Sequence, residues 1–252
     1  MFRDLRYGWE SLKITWRCTL TFQTLLSQFR CNGSDGYLAW IDQILQVRET
    51  ANETLEGLNY DFRVIDDPQI IHNKIIDQNK LDNNSRMLAG YCWDWISKVY
   101  FDRKDIVIGD YKATWNLSSH GQGWLAHPES VTEVGCIHTC QGLDLSYAGV
   151  IIGEDLIVRN GKVVTNGFKR AKTDKSLFGF KKMYKENKDK AIEIADIIIK
   201  NTYRTLLTRG MKGCYVFCVD KETQEYFKSK LNNVSSGIGN LFGSSFSVIQ
   251  DK

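Results

Sequence analysis

Apolar positions along the chain alternate between the spacing of a helix and that of a strand. Residues 36–47 carry apolar side chains at helical spacing, residues 60–67 have the composition of a strand, and Pro68 opens a second helical pattern. Residues 85–93 form a further apolar run that is typical of a buried strand. A strand, a helix and a strand within about thirty residues form the βαβ rhythm of a parallel sheet.

The second half of the chain repeats this rhythm. Its predicted elements, in order, are a strand at 133–139, a short helical turn at 141–146, a strand at 148–153, a helix at about 187–208, a strand at 213–220 and a closing helix at 221–231. Between two β-rich arms, Asn160-Gly161 predicts a type I′ hairpin. The sequence therefore predicts an α/β fold with a mostly parallel central sheet and a β-hairpin insertion.

The domain organisation follows from the same patterns. Residues 1–18 have no clear periodicity and receive no assignment. Residues 232–252 are rich in Gly and Ser, which predicts a flexible tail. We expect one domain over 19–231, since only two prolines and no low-complexity tract interrupt the chain.

Composition indicates an ordinary globular protein. None of its apolar runs reaches the roughly 18–20 residues that span a bilayer, and the charged start is unlike a signal peptide, so we expect a cytoplasmic protein away from membranes. Seven cysteines in apolar segments favour a reduced compartment. Cys214, Val216 and Cys218 alternate on one face of a predicted strand, which is the pattern of buried side chains and not of a metal site. We predict no metal bound by these cysteines.

Charge is concentrated in residues 168–190, here called the basic stripe. It contains nine Lys or Arg and three acidic residues, whereas the whole chain has a net charge of +3. Cations interleaved with aromatic rings are typical of surfaces that follow a phosphate backbone. On this interpretation Lys181, Lys182 and Lys185 contact nucleic acid; the alternative is a solvated loop before a helix. The interleaved aromatic residues are Phe168, Phe178, Phe180 and Tyr184.

Three polar clusters interrupt the apolar pattern, namely 28–30, 138–144 and 208–210. Ligands of open parallel sheets bind at the carboxyl ends of strands and the starts of the following helices, and we expect the clusters there. Arg30 and Arg209 are candidates to stabilise charge on a transferring phosphoryl group, because a guanidinium is always charged and planar. Taken singly, each arginine has an ordinary alternative as a surface or helix-end residue.

Four stretches occur in a fixed order: QFRCNGSDGYLAW (28–40), SRMLAGYCWDW (85–95), IHTCQGLDLSYAGVIIG (137–153) and NTYRTLLTRGMKGCYVFC (201–218). In this order and at these separations they resemble the second RecA-like core domain of superfamily-one helicases. More closely, they resemble the Schlafen-like DNA/RNA helicase domain, a family of predicted nucleic-acid ATPases. The likeness covers about residues 20–230 and implies a RecA-like three-layer sandwich.

The resemblance also implies roles for individual residues. Arg30, which follows Gln28 in the first stretch, matches the arginine that reaches the γ-phosphate of ATP. Arg209 matches the arginine finger. His138 and Thr139 match positions that touch the backbone of the nucleic acid.

The later part of the same motif faces the nucleotide in the family. Gln141, Gly142 and Asp144 match these positions, with the acidic residue near the ribose. Many superfamily-one relatives have Glu where this chain has Asp144, so the role of that residue rests on a less close match.

A helicase of this kind also needs a P-loop, G-x-x-x-x-G-K-[ST], and no such motif occurs in the 252 residues. The acidic strand ends at 64–67 and 150–155 imitate a Walker-B strand, but without a P-loop we interpret them as strand ends. We therefore expect the second motor domain of a nucleic-acid-dependent ATPase or helicase, inactive alone. Its partners would be single-stranded DNA or RNA and a P-loop RecA-like domain in cis or in trans, which would bind most of the ATP and Mg²⁺.

Other functions remain open at the level of sequence. The chain could be a non-catalytic nucleic-acid-binding or interaction module that kept a helicase fold. A hydrolase that uses His138 with Cys136 or Cys140 has little support, because no third residue or oxyanion site accompanies the pair. His120 and His127 have no carboxylate at an informative spacing and are predicted to be loop residues without a special role. The tryptophans that could stack bases or fill the core are Trp93, Trp95, Trp115 and Trp124.

Overall fold

The structure is a computed structural model that describes residues 35–51, 54–55, 57–117 and 120–238. Within these ranges the helices are α1 (Asp35–Ile44), α2 (Pro68–Asp82), α3 (Phe180–Glu186), α4 (Lys188–Leu207) and α5 (Lys221–Ile238). The strands are β1 (Asp61–Val64), β2 (Ser85–Ala89), β3 (Ile106–Ile108), β4 (Tyr111–Trp115), β5 (Glu133–Gly135), β6 (Leu145–Ile152), β7 (Leu156–Arg159), β8 (Lys162–Thr165) and β9 (Gly210–Cys218). Four short 3₁₀ helices lie at Gly121–Ala126, Pro128–Thr132, Gly167–Lys169 and Lys175–Leu177.

Seven of these strands form one sheet in the order β1-β9-β6-β2-β5-β4-β3. Every described pairing in it is parallel except that of β3 with β4. The pair β7–β8 stands apart as a two-stranded hairpin. The structure thus confirms the predicted α/β fold with a mostly parallel sheet and a hairpin insertion.

Strand alternation divides the core between the two faces of the sheet. On β9, Cys214, Val216 and Cys218 pack in one cluster with α1 and α4, whereas Tyr215 and Phe217 pack in the other with α2. The alternation predicted for the two cysteines is therefore confirmed. Helices on both faces give three layers, as in RecA-like domains.

Local signals in the sequence explain where several elements begin and end. Asp67 caps α2 by accepting a hydrogen bond from the backbone N–H of Gln69 at 2.7 Å, and Pro68 occupies the first turn. The β7–β8 turn has φ of 51° at Asn160 and 74° at Gly161, which is the positive φ that a type I′ turn needs at both positions. The predicted hairpin is confirmed.

Several boundaries differ from the predictions. The strands predicted at 85–93 and 133–139 end earlier, at Ala89 and Gly135, and β9 starts three residues before the predicted 213. The segment predicted as a helical turn at 141–146 ends in strand, because β6 starts at Leu145. Residues 106–115, which the sequence pattern left unassigned, form the β3–β4 hairpin with Gly109 at φ 57° in its turn. Helix α5 continues to Ile238, so the first seven residues of the predicted tail are helical. Residues 1–18 and 239–252 lie outside the described residues.

Candidate functional site

The parallel strands give the sheet two distinct edges. We call the side at which they begin the amino edge and the side at which they end the carboxyl edge. His138 and Thr139 follow β5 and lie at the carboxyl edge. Asp144 directly precedes β6, and residues 208–209 directly precede β9, so both lie at the amino edge. Cluster 138–144 therefore follows a strand as expected but ends at the amino edge. For cluster 208–210 the expectation is wrong, because these residues lie between a helix and the start of the strand that follows it; cluster 28–30 lies outside the described residues.

Two sequence-distant segments meet at the amino edge. The backbone N–H of Leu145 donates to the carbonyl oxygen of Arg209 at 2.9 Å. The Arg209 guanidinium in turn donates to the carbonyl of Leu143 at 2.9 Å and to that of Thr205 at 3.2 Å. Arg209 is only 6% exposed, whereas Asp144 is exposed. A fixed cation and an accessible carboxylate thus occupy neighbouring positions, although 65 residues separate them in the sequence.

Two glycines give the backbone its path at this edge. Gly142 has φ of 83°, a region that residues with a side chain rarely adopt, and it forms the turn after Gln141. At Gly210 a Cβ atom would lie 2.0 Å from the carbonyl oxygen of Gly213, so only glycine fits. Gly142 and Gly210 therefore fix the backbone path of the two segments that meet at Arg209.

His138 and Thr139 have different environments at the carboxyl edge. The Thr139 hydroxyl donates to Asn116 Oδ1 at 2.6 Å and accepts from the backbone N–H of Cys136 at 3.4 Å, which joins the ends of β4 and β5. The His138 side chain is 54% exposed, with its Nε2 at 3.7 Å from Asp174 Oδ1 and its ring edge-on to Tyr91. Of the two, His138 presents the more accessible side chain to a ligand.

Residues 136–144, here called the coupling segment, connect the two edges. Gly135, the last residue of β5, and Val150 of β6 both pair with Leu88 of β2. The end of β5 is therefore level with a point five residues beyond the start of β6. At about 3.3 Å per residue of a parallel strand, this is about 17 Å along the strand direction. Cys140, in the middle, is fully buried in the core cluster beneath α1 and α4. The segment therefore passes along the core between an exposed histidine and an exposed aspartate.

A buried charge cluster supports the carboxyl edge. The Arg170 guanidinium is 2% exposed and lies 3.0 Å from Asp155 and 2.6 Å from Asp174. The Tyr203 hydroxyl, on α4, donates to Asp155 and accepts from the backbone N–H of Gly153 at 2.8 Å. Burial alone would raise the pKa of Asp174, but His138 and Arg170 outweigh it and hold that pKa well below its usual range.

This cluster was not predicted, and it removes one cation, Arg170, and one carboxylate, Asp174, from the exposed part of the basic stripe. Counting charges along 168–190 treats Arg170 as an exposed cation, because its partners Asp155 and Asp174 become neighbours only in the folded protein. The signal available in the sequence was the Gly-Glu-Asp that directly follows β6, which was interpreted as a strand end. It is a strand end, with Asp155 completely buried.

The remaining lysines of the stripe stay on the surface. Lys181, Lys182 and Lys185 are exposed on α3. The aromatic residues at 168, 180 and 184 pack on one another with ring centroids 4.9–5.8 Å apart and hold α3 in place. Phe178 is instead 91% exposed.

A cleft of about 580 Å³ opens beside these lysines at the ends of β2, β6 and β9. Its lining includes Trp93, Phe168, Lys169, Lys172 and Lys181. The turn of the β3–β4 hairpin closes one side. The carboxyl edge therefore combines an exposed histidine, a row of lysines and a cavity with aromatic walls.

The loop histidines have partners that sequence spacing did not reveal. His120 Nδ1 lies 3.0 Å from Glu133 Oε1, and its ring stacks on His127 at 4.5 Å. The other Glu133 oxygen accepts from Trp124 Nε1 and from the backbone N–H of Leu117, both at 2.9 Å. Glu133 thus joins the 3₁₀ segment to β5, which is a structural role.

The tryptophans divide between core and surface. Trp115 and Trp124 are almost completely buried, which supports the core interpretation for them. Trp93 and Trp95 are partly exposed. In the described part of the chain, no group of three or more His, Cys, Asp or Glu side chains could hold a metal ion.

The mostly parallel seven-stranded sheet with helices on both faces gives the class of the fold: a RecA-like domain. The chain belongs to the family described as Schlafen group 3, DNA/RNA helicase domain, whose profile matches residues 7–220. This confirms the family resemblance found in the motifs.

The chain is also 30% identical over 223 residues to the uncharacterized protein YPL245W of Saccharomyces cerevisiae. The alignment covers 80% of this chain and 46% of the yeast protein, so the chain spans less than half the length of that relative. No solved structure gives a significant match. None of the helices in the described ranges is long and apolar enough to cross a membrane.

Proposed function

We propose that this chain is the second motor domain of a nucleic-acid-dependent ATPase or helicase. In this proposal the amino edge faces a nucleotide held mainly by a P-loop domain, in cis or in trans. The carboxyl edge binds single-stranded DNA or RNA. The coupling segment connects the two.

The observation that supports the proposal most strongly is that the two ends of the coupling segment lie at opposite edges of the sheet. The family resemblance gives its early residues to nucleic acid and its acidic residue to the nucleotide. In the fold, His138 follows the end of β5 at the edge that carries the exposed lysines, whereas Asp144 directly precedes β6 at the opposite edge, beside Arg209. Each proposed role therefore falls beside groups of matching chemistry.

The donor set at the amino edge fits one side of a nucleotide. Arg209 is a cation held by two backbone carbonyls, as needed to stabilise negative charge on a phosphate, and Asp144 is an exposed acceptor for ribose hydroxyl groups. Gln141 and Gly142 form the exposed turn just before it. When bound with Mg²⁺, ATP supplies the phosphoryl group that is transferred to water. Gln28 and Arg30 join this edge in the proposal on the resemblance alone.

Two arginines without a P-loop cannot hold a nucleotide triphosphate firmly or position Mg²⁺. The P-loop motif does not occur in this sequence. We therefore propose that the chain alone does not hydrolyse ATP and that its arginines act on a nucleotide bound by another domain.

The assignment of Arg209 is tested in the protein that contains both motor domains. An arginine finger contributes about 10³–10⁵ to the rate of phosphoryl transfer, so Arg209→Lys should lower kcat by about that factor. Because the guanidinium is buried and bonded, Arg209→Ala would also disturb the amino edge; the lysine variant keeps the charge and is the better test. Unchanged kcat in a folded Arg209→Lys protein would refute the assignment.

A second candidate, from another class, is a nucleic-acid-binding module without catalysis. It is favoured by one observation: the lysines and the cleft of the carboxyl edge lie wholly within this chain, whereas a nucleotide site would need a further domain. If the protein containing this domain has no nucleic-acid-stimulated ATPase but binds single strands, the module is the correct function.

A further inference from the structure

We propose that the cleft at the carboxyl edge binds one nucleotide unit, an unstacked base with its phosphate, of a bound single strand. The inference rests on the proposed function in that it takes the strand to run along this edge. It adds a particular site, which the family match does not assign.

The size and walls of the cleft suit an aromatic base. Its volume of about 580 Å³ falls within the range of about 300–1,000 Å³ that is usual for ligand pockets. Trp93 and Phe168 are its aromatic residues, and Val107, Ile108 and Val219 add apolar surface. Stacking on such rings is how proteins bind unpaired bases without strong sequence preference.

The two rings are supported by their own neighbours. The Trp93 ring lies 6.4 Å from that of Trp115, whose Nε1 donates to the Trp93 carbonyl at 3.1 Å. Phe168 packs edge-on against Phe180 and Tyr184, yet half of its side chain remains exposed. A base entering the cleft would therefore meet rings that are already positioned, which lowers the entropy lost on binding.

The cations that line the cleft suit the phosphate. Lys169, Lys172 and Lys181 line it, and the adjacent Arg170 is already paired with buried carboxylates. Lys169 Nζ is 2.7 Å from Glu154, with both side chains about half exposed. A phosphate would thus compete with Glu154 for Lys169.

The segment that carries these lysines is fixed to the strand ends. The backbone N–H of Ala171 donates to the carbonyl of Tyr91 at 2.9 Å, and that of Lys172 donates to Asp94 Oδ1 at 3.2 Å. Tyr91 also contacts the ring of His138. A strand whose backbone touches His138 would therefore pass directly by the cleft.

The test uses this chain and a short single-stranded oligonucleotide labelled for anisotropy. The oligonucleotides form a series in which each member lacks the base at one position. We expect loss of one particular base to weaken binding about tenfold, as is typical for base–aromatic stacking. Trp93→Ala should weaken binding of the intact strand by a similar factor and make the protein indifferent to that missing base, whereas Trp93→Phe should retain most of the affinity.

One further variant addresses the phosphate and does not touch the core. Glu154→Gln frees Lys169 and should tighten binding by about twofold to fivefold, whereas Glu193→Gln, the same charge change on exposed α4 surface, should not. Phe101→Ala is the aromatic control, because Phe101 is exposed, lies outside the basic stripe and does not line the cleft. A free nucleoside monophosphate should compete with the strand, and this competition should disappear in Trp93→Ala.

The outcomes separate the inference from the proposed function. If the strand binds with a normal salt dependence but Trp93→Ala and Glu154→Gln change nothing, the cleft is not a base site and only this inference fails. The same holds if a free nucleotide binds the cleft without competing with the strand. If no single strand binds at all, the proposed function fails as well.

Discussion

The lysines of α3 give the proposed nucleic-acid edge a measurable electrostatic signature. For single strands, each phosphate neutralised by a protein cation contributes about 0.7 to the slope of log K against log salt concentration. Lys181, Lys182 and Lys185 are exposed, and changing all three to Ala should reduce the slope by about 2 if each contacts one phosphate. Lys182 lies 3.9 Å from Glu186, so its share should be the smallest.

The assay is a salt titration of single-strand binding by anisotropy, with DNA and RNA compared in parallel. The control, compared per lysine removed, changes Lys80 and Lys212, which lie on α2 and β9 towards the amino edge. This control should leave the slope unaltered, because its lysines are remote from the carboxyl edge. An unchanged slope in the α3 variant, or an equal loss per lysine in the control, would show that the basic stripe does not contact the strand.

Three further predictions concern stability and local geometry. Arg86 is completely buried and donates hydrogen bonds to Asn79, Ser130 and several backbone carbonyls. Arg86→Met should therefore lower the free energy of unfolding, measured by urea denaturation, by about 3 kcal/mol. Arg103→Ala, on the surface, is the control and should change it by less than about 0.5 kcal/mol. Because Asp174 has a lowered pKa, its ionised form stabilises the fold at pH values above the ordinary carboxyl pKa of 3.8, and this contribution is lost as the pH falls below that value. In Asp174→Asn the free energy of unfolding should therefore fall less steeply with decreasing pH. The same pH dependence in the variant and the unchanged protein would contradict the buried pair. Gly142→Ala introduces a side chain at positive φ and should cost about 1 kcal/mol; an unaltered melting temperature would contradict the turn geometry.

The periodic part of the fold could be predicted from sequence because its signals are local. Apolar alternation identified β9 and the faces of its cysteines, and Asn160-Gly161 identified the hairpin from the only two residues that matter for its turn type. Strand starts were harder. The chain enters β9 at Gly210, before the apolar run begins. Arg209 was expected at the wrong edge of the sheet, because a segment between a helix and the following parallel strand lies where that strand begins.

The charged parts of the site could not be predicted in the same way. Whether a cation is exposed or neutralised depends on partners distant in sequence, as Arg170 with Asp155 demonstrates. The same reason hid Glu133 as the neighbour of His120. The motifs named His138, Asp144 and Arg209 as candidates, but only the register of β5 and β6 separates the first from the other two.

The central claim is that the two edges of this domain perform different tasks, about 17 Å apart, and it is tested by one paired measurement. In the protein that contains both motor domains, ATP turnover and single-strand affinity are measured side by side for Arg209→Lys and for the triple variant of Lys181, Lys182 and Lys185. We predict that Arg209→Lys lowers kcat by about 10³ or more with near-normal strand affinity, and that the lysine variant weakens strand binding while kcat at saturating strand is retained. Loss of both properties in both stably folded variants, or full turnover in Arg209→Lys, would contradict the claim.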